Sequence, residues 1–323
     1  MLEDGAPRAT VVIPTWNGAR FLPPCLAALD AQSLGGLDSG VFETIIVDNG
    51  STDDTSELLA GYPGLRVMPL PCNLGFAAGV NVGIRAARSD TIVLLNNDTE
   101  VAPGWLEALL KALDASPEAG MATSKVRLFD RRDHLHTTGD TLDLAGMAGN
   151  RGVWELDRGQ YDQATEVFGA NAAAAAYRRA LFEAIGPFEE AFGSYMEDVD
   201  LAWRARLAGW GCVFVPDALV YHQVSATGGG PMASYLVARN RIWLLARNYP
   251  SRLLLKHAPR VLGAQLGIAW RALRAWRGAA ARATLRGQLA GMLGWPRMLS
   301  ARRRIQASRR IALTELERLM RPR

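Results

Sequence analysis

TIVLLNNDTEV, residues 91–101, sets the architecture. Ile92 to Leu95 is an unbroken aliphatic run, and Asn96, Asn97 and Asp98 follow at once. A continuous apolar run reads as a strand buried on both faces, which puts the polar triplet at its carboxyl end. The same pattern recurs upstream. ATVVIP (9–14) leads into Thr15, Trp16 and Asn17, and ETIIVD (43–48) ends on Asp48 with Asn49 behind it. Leu65–Met68 is a shorter third strand, with Asn73 beyond it. Helix-like segments separate them at Phe21–Ala31, Thr52–Ala60 (Ser51 or Thr52 as N-cap) and Phe76–Arg88, and Trp105–Leu113 follows Pro103. Doubly buried strands alternating with helices predict an α/β fold with a mostly parallel central sheet flanked by helices. Ligands in such sheets bind outside the carboxyl ends of the strands. The polar groups at 15–17, 48–49, 73 and 96–98 therefore predict one shared rim.

The rest of the chain bounds the reading. It has 323 residues, 49% hydrophobic and 21% charged, which is ordinary globular usage and enough for one large domain or two small ones. Disordered, collagenous and disulfide-scaffold classes are excluded. Cys25, Cys72 and Cys212 are widely spaced and form no CxxC, so neither a zinc ribbon nor a disulfide framework is expected, and a reducing cytosolic compartment is the default. The opening residues carry Glu3 and Asp4 with no apolar run, unlike a secretory signal. Val261–Trp270, between Arg260 and Arg271, is too short to span a bilayer. The net charge of +4 hides an asymmetry: residues 251–323 hold 17 basic and 2 acidic residues, and residues 1–250 hold 19 and 30. Composition and charge both change near Pro250, which predicts a boundary there. Residues 127–166 are less regular, and helical patterns return at Arg178–Ile185, Val199–Ala208 and Tyr235–Asn248.

Several chemistries are disfavoured outright. The turn after the first strand, Pro14 to Gly18, lacks GxGxxG, and the chain has no GxxxxGK[ST], GxSxG or HExxH. What remains is carboxylate chemistry. Asp98 is the one full charge in its triplet, placed to hold a hard cation with phosphate oxygens or to cap a turn. YMEDVDLAWRARLAGW (195–210) sets Glu197, Asp198 and Asp200 at the start of an amphipathic helix. Acids suit a helix N-terminus, and Asp200 can pair with Arg204 at i,i+4. A carboxylate beside a bound hydroxyl can also serve as general base. YHQVSATGGG (221–230) places His222 after the strand-like runs Cys212–Val215 and Ala218–Val220. A lone histidine is more often structural than a ligand. The glycines 228–230 read as a loop that closes over a ligand.

Taken in order, VVIPTWNG, IIVDNGSTDDT, NLGFAAGVNVGI, IVLLNNDTEV, IGPFEEAF, YMEDVDLAWRARLAGW and YHQVSATGG resemble the family 2 inverting glycosyltransferases of GT-A fold. Within that family they are most similar to bacterial rhamnosyltransferase-like enzymes of cell-surface polysaccharide synthesis. The resemblance covers about residues 9–248. It implies that Pro14, Thr15 and Asn17 line the nucleotide pocket, that Asp48 meets the donor's base, and that Asn73, Gly75, Gly79 and Asn81 lie by the nucleotide and ribose. Asn96-Asn97-Asp98 takes the place of the DxD motif, with Asn96 and Asn97 on the donor side and Asp98 the metal-binding aspartate. His222 resembles a histidine that completes metal or diphosphate binding. Asp198 matches the presumed general base, and Glu197 and Trp243 are assigned to the acceptor. The implied cofactor is a divalent cation, Mg²⁺ or Mn²⁺. The sequence also departs from the family: Asn96 replaces an acid, Glu189 stands where aspartate is common, and RNRIW (239–243) lacks the QxxRW of processive synthases.

The implied reaction moves one sugar, with dTDP-rhamnose as the candidate donor, to a glycan or lipid-linked acceptor at the cytoplasmic face of the membrane. The divided chain then reads as a catalytic domain, 1–250, and a basic amphipathic helical region, 251–323. In that region Trp270, Trp276 and Trp295 mix with leucine and arginine, which suits peripheral contact with a membrane interface. The alternative is a helical bundle packed on the core. Nucleic acid is not expected, since no recognised motif accompanies the charge. The rival functions are a nucleotidyltransferase that forms a nucleotide sugar and a non-catalytic protein that docks on membrane or RNA.

Overall fold

The computed structural model describes residues 6–224 and 229–320. Gly228 of the expected closing loop lies outside the described residues. The strands are β1 (Ala9–Thr15), β2 (Phe42–Asp48), β3 (Arg66–Pro69), β4 (Thr91–Leu95), β5 (Thr99–Val101), β6 (Ala119–Leu128), β7 (Leu135–Thr137), β8 (Asp140–Leu142), β9 (Ala148–Asn150), β10 (Ala174–Arg178) and β11 (Gly211–His222). The helices are α1 (Leu22–Asp30), α2 (Thr55–Ala60), α3 (Phe76–Ala86), α4 (Trp105–Ala115), α5 (Arg179–Ile185), α6 (Glu197–Leu207), α7 (Gly230–Asn248), α8 (Ser251–Arg274), α9 (Ala279–Ala307) and α10 (Leu313–Leu319).

The main sheet runs β3-β2-β1-β4-β10-β6-β11-β5. Its first four strands are parallel, as the aliphatic runs predict. β10 then enters antiparallel between β4 and β6, β11 lies parallel to β6, and β5 closes the edge antiparallel to β11. β7 takes over as the partner of β6 where β10 stops. The sheet is thus mixed, with a parallel half whose strands end at the loops of residues 15–17, 48–49, 73 and 96–98. Side chains alternate between two cores. Val11, Ile13, Ile46, Val93 and Leu95 pack with α1 and α4, and Val12, Ile45, Val47, Ile92 and Leu94 pack with α3, α6 and α7.

The helices beyond Pro250 return to the sheet's second face. Gln288 Nε2 donates to the Gln265 carbonyl at 3.0 Å, so α8 and α9 fold back on one another around the turn at 275–278. Gly287, Gly291 and Gly294 of α9 face α7 so closely that a Cβ at Gly291 would sit 2.9 Å from Ile242, and one at Gly294 2.5 Å from the Trp243 ring. Arg302 donates to the carbonyls of Ala246 and Tyr249 at 2.8 and 2.6 Å. Among the described residues no helix is long and apolar enough to cross a membrane.

Candidate active site

The parallel strands end in a hydrogen-bonded rim. Thr15 and Asp48 are register partners on β1 and β2. Asp48 Oδ1 accepts from the Ser51 amide at 3.0 Å, and the Ser51 hydroxyl accepts from the Asn17 amide at 2.8 Å. Asn17 sits at φ 51°, a conformation asparagine tolerates, and its Oδ1 accepts from the Thr52 amide at 2.8 Å. Asn49 reaches across to the next loop: its Nδ2 donates to Asn73 Oδ1 and to the Gly75 carbonyl, and its Oδ1 accepts from the Leu74 amide. Gly75, at φ 86°, approaches Gly193 so closely that a Cβ would stand 3.1 Å from its backbone. A Cβ at Gly79 would stand 3.3 Å from Asn49 Nδ2. Short polar side chains at this rim are held in place by the backbone amides of the neighbouring loops.

The triplet after β4 divides its work. Asn97 is buried and donates from Nδ2 to Thr15 Oγ1 at 2.7 Å, which ties the triplet to Pro14–Thr15. Asn96 fixes its backbone amide on the Ala173 carbonyl at 2.8 Å. Asp98 is buried at 6% exposure, and its Oδ1 lies 3.1 Å from His222 Nε2 without a hydrogen-bond donor of its own. A buried carboxylate oxygen beside an imidazole nitrogen at that separation matches two ligands on one cation edge. Among the described residues no group of three or more His, Cys, Asp or Glu could hold a metal ion. A cation here would take its other ligands from phosphate and water, as hard divalent ions do. His136 on β7 is a residue the sequence did not single out. Its Nδ1 is 3.3 Å from His222 Nδ1, and burial, then the His222 charge, push its pKa down to about 4.

The acids before and in α6 form the other wall. Asp198 Oδ1 accepts from the Val199 amide at 2.8 Å. The Ala172 amide, one residue from the Ala173 carbonyl that holds Asn96, comes near enough to the Asp198 carboxylate to lower its pKa, which sets the base candidate beside the triplet. Burial raises the Asp198 pKa. Asp140, at the start of β8, is pushed well above the usual range by burial and by the Asp198 charge, although Asn171 donates to it at 3.2 Å. Glu197 is raised well above its usual value by burial and then by Asp198. Burial thus raises all three carboxyls, and the Asp198 charge adds to the rise at Asp140 and Glu197. The loop that delivers Asp198 is strained: Tyr195 and Met196 sit at φ 67° and 72°. Asn240 of α7 braces it, its Nδ2 donating to the carbonyls of Phe192, Ser194 and Tyr195 at 3.0, 3.0 and 2.7 Å.

Two expected site residues stand elsewhere. Asn81 is fully buried and spends its amide on the Phe188 backbone and on Glu190, so it fastens α3 to the 188–190 segment rather than facing a ribose. Trp243 is 8% exposed, packed edge-on against Phe192 beneath Arg239 and against α9, which leaves no face for an acceptor. Glu197 is buried and its Oε2 has no partner, so its side chain is a member of the acid cluster.

The profile of Glycosyl transferase family 2 matches residues 10–186. An N-acetylglucosaminyl-diphospho-decaprenol L-rhamnosyltransferase of Mycobacterium tuberculosis is 30% identical over 253 residues, 72% of this chain and 81% of that protein. The chain belongs to glycosyltransferase family 2. As a glycosyltransferase it shares its fold with solved enzymes. S. aureus TarS 1-349 superposes with a TM-score of 0.56 at 18% identity, covering 93% of this chain and 90% of that one. In a longer TarS structure the chain spans 43% of the length. The mannosyltransferase PcManGT of Pyrobaculum calidifontis, in complex with GDP-Man and Mn²⁺, superposes with a TM-score of 0.53 at 20% identity, covering 94% and 86%. The fold is GT-A, and the nucleotidyltransferase and non-catalytic readings give way to the family.

Proposed function

We propose that this glycosyltransferase moves one rhamnose-type sugar from a nucleoside diphosphate donor, with dTDP-rhamnose first among the candidates, to a lipid-linked N-acetylglucosaminyl diphosphate. It would work as a peripheral protein on the cytoplasmic face of the membrane. The observation that carries the reading is the shared rim: Asp98 faces His222 at 3.1 Å, Asn96 is held by the Ala173 carbonyl, and Asp198 lies beside the neighbouring Ala172 amide. The likeness to the mycobacterial rhamnosyltransferase supports the sugar and the acceptor class.

In this reading Asp48, Thr15, Asn17, Asn73, Gly75 and Gly79 hold the nucleotide, and Asn97 fixes the triplet beneath the diphosphate. Asp98 and His222 would hold a divalent cation, Mg²⁺ or Mn²⁺, which offsets the charge that develops on the leaving diphosphate. Asp198 takes the proton of the acceptor hydroxyl as that oxygen attacks the anomeric carbon from the face opposite the leaving group. One displacement inverts the centre. Glu197 and Asp140, which burial pushes toward their protonated forms, border the base.

The test combines binding and turnover. Asp198→Asn should remove transfer of rhamnose to a short-chain polyprenyl diphosphate N-acetylglucosamine while nucleoside diphosphate binding persists. Asp98→Ala should remove the dependence of that binding on added Mg²⁺ or Mn²⁺. Normal turnover in the first variant, or unchanged cation dependence in the second, would reject the assignment.

A further inference from the structure

The outward faces of α8 and α9 are not used by the transfer chemistry. On α8, Leu255, Leu262, Leu266, Trp270 and Leu273 are between 54% and 78% exposed. At about 100° per residue they fall in one sector about 80° wide, opposite the buried Leu253, Val261 and Ile268. The stripe from Leu255 to Leu273 is about 27 Å long at about 1.5 Å per residue. On α9, Leu289, Met292 and Leu293 are between 54% and 75% exposed, on the side away from the glycines that meet α7. Each helix thus has two apolar faces, one packed and one in solvent. A surface helix in water puts polar groups outward, and contiguous exposed apolar surface marks an interaction site.

Charge selects the occupant. Residues 251–307 carry twelve Lys and Arg and no acid. Arg252, Lys256, Arg274 and Arg277 border the α8 stripe and are exposed. A second copy seated on this face would set one acid-free basic helix against another, with no opposite charge to pair across the seam. An anionic bilayer accepts both features at once. Leucine and tryptophan enter the headgroup boundary, and the flanking arginines meet lipid phosphates.

We propose that the outward faces of α8 and α9 form an interfacial docking surface for anionic lipid, with the helices lying in the membrane plane. The proposal deepens the membrane side of the function above and rests on it for its purpose. The test contains neither donor nor acceptor, so its outcome is separate from that of transfer. The full chain is sedimented with vesicles of phosphatidylcholine alone or with about one-third phosphatidylglycerol, at low salt and at about 0.3 M salt. Binding should be at least about tenfold tighter to the anionic vesicles and should weaken with salt. Leu262→Ser/Leu266→Ser/Trp270→Ser should lower it about tenfold or more while melting temperature and nucleoside diphosphate affinity hold. Brominated lipid should quench tryptophan emission, and Trp270→Phe/Trp276→Phe, which preserves the apolar face, should remove most of that quenching. Wild-type protein that ignores anionic vesicles overturns the proposal, as does undiminished binding by the triple variant. A dimer in solution that the triple variant abolishes would assign the face to a second copy instead.

Discussion

Asp200→Asn isolates what holds α6, the helix that carries Asp198, in place. Asp200 is fully buried in α6. It accepts from Arg204 Nε at 2.8 Å and from Asn248 Nδ2 at 2.7 Å, and Arg247 Nε lies 2.9 Å away. Burial alone would raise its pKa, but the Arg247 and Arg204 charges overcome that and hold it below the usual carboxylate range. Breaking a buried ion pair from one side costs about 3–5 kcal/mol, because the partner charge stays behind. Here the remaining groups are partly compensated. Arg204 keeps the carbonyls of Ile185, Gly186 and Pro187, and Arg247 keeps Glu189 at 2.5 Å. The expected loss is therefore the lower limit, about 3 kcal/mol. With an unfolding entropy of about 2.1 cal/mol/K per residue, that lowers the melting temperature by about 4 °C. Because the folded pKa lies below the unfolded one, the carboxylate's contribution is present above about pH 4 and is lost below it. Urea unfolding should find a gap between wild type and variant that is constant from about pH 5 to 8 and narrows below about pH 4. A loss under about 1 kcal/mol, or a gap unchanged in acid, would show that the carbonyls and Glu189 satisfy the arginines without Asp200.

Other outcomes follow from single contacts. A Cβ at Gly287 would run into the Tyr235 carbonyl, so Gly287→Val should cost about 2 kcal/mol in urea unfolding, whereas Gly263→Ala, with nothing near it in mid-helix, should gain about 0.5–1 kcal/mol. Asp140 has a folded pKa above its unfolded one, so its stability contribution is fullest below about pH 4 and declines as pH rises toward the folded value. Asp140→Asn should thus gain on wild type by up to about 1.4 kcal/mol per pH unit as pH rises above about 5, read by melting across a pH series, and a flat difference would contradict the burial argument. Neutral His136 can accept from His222 Nδ1–H, which leaves His222 Nε2 free to face Asp98. His136→Leu should weaken Mn²⁺-dependent nucleotide binding about tenfold in calorimetry and His136→Asn, which keeps an acceptor, much less; equal affinities would remove His136 from the site.

β1, β2 and β4 of the parallel half are legible in sequence because they are buried on both faces and so read as aliphatic runs, whereas β3 is a half-exposed edge strand. The antiparallel insertion is not. β10 follows from NAAAAAYR, whose alanines favour helix by propensity. It is a strand because it is inserted between β4 and β6 and hydrogen-bonds antiparallel to both, its alanines 174–176 buried on both faces. β5 and β7 have three residues each, too few for a period to show, and with β7 went His136. The start expected for α2 at Thr52 falls instead at Thr55, since the Thr52 amide is engaged by Asn17. Strand-end polar groups announce the rim, because a polar residue after a doubly buried strand has few other places to go. Asn81 and Trp243 show the limit of that logic: on a helix, residue type alone does not say which way a side chain points.

Asn240 and Arg239 show how the basic C-terminal region bears on the chemistry. A left-handed conformation at a residue other than glycine costs about 1–3 kcal/mol, and Tyr195 and Met196 adopt it in succession just before Glu197 and Asp198. Such a loop persists only if its surroundings over-determine it. The bonds that do so come from α7: three from Asn240, two from Arg239 to the carbonyls of Ala191 and Phe192, and the Arg247–Glu189 ion pair. α7 is in turn covered along its length by the glycine face of α9, and α9 lies beyond Pro250. Pro250 therefore divides composition and charge but not packing. The helices that present a basic apolar surface outward thus also pack, through α9, on α7, the helix that sets the backbone ahead of Asp198, so a contact made on that outer surface would bear on the geometry at Asp198 through one packed stack.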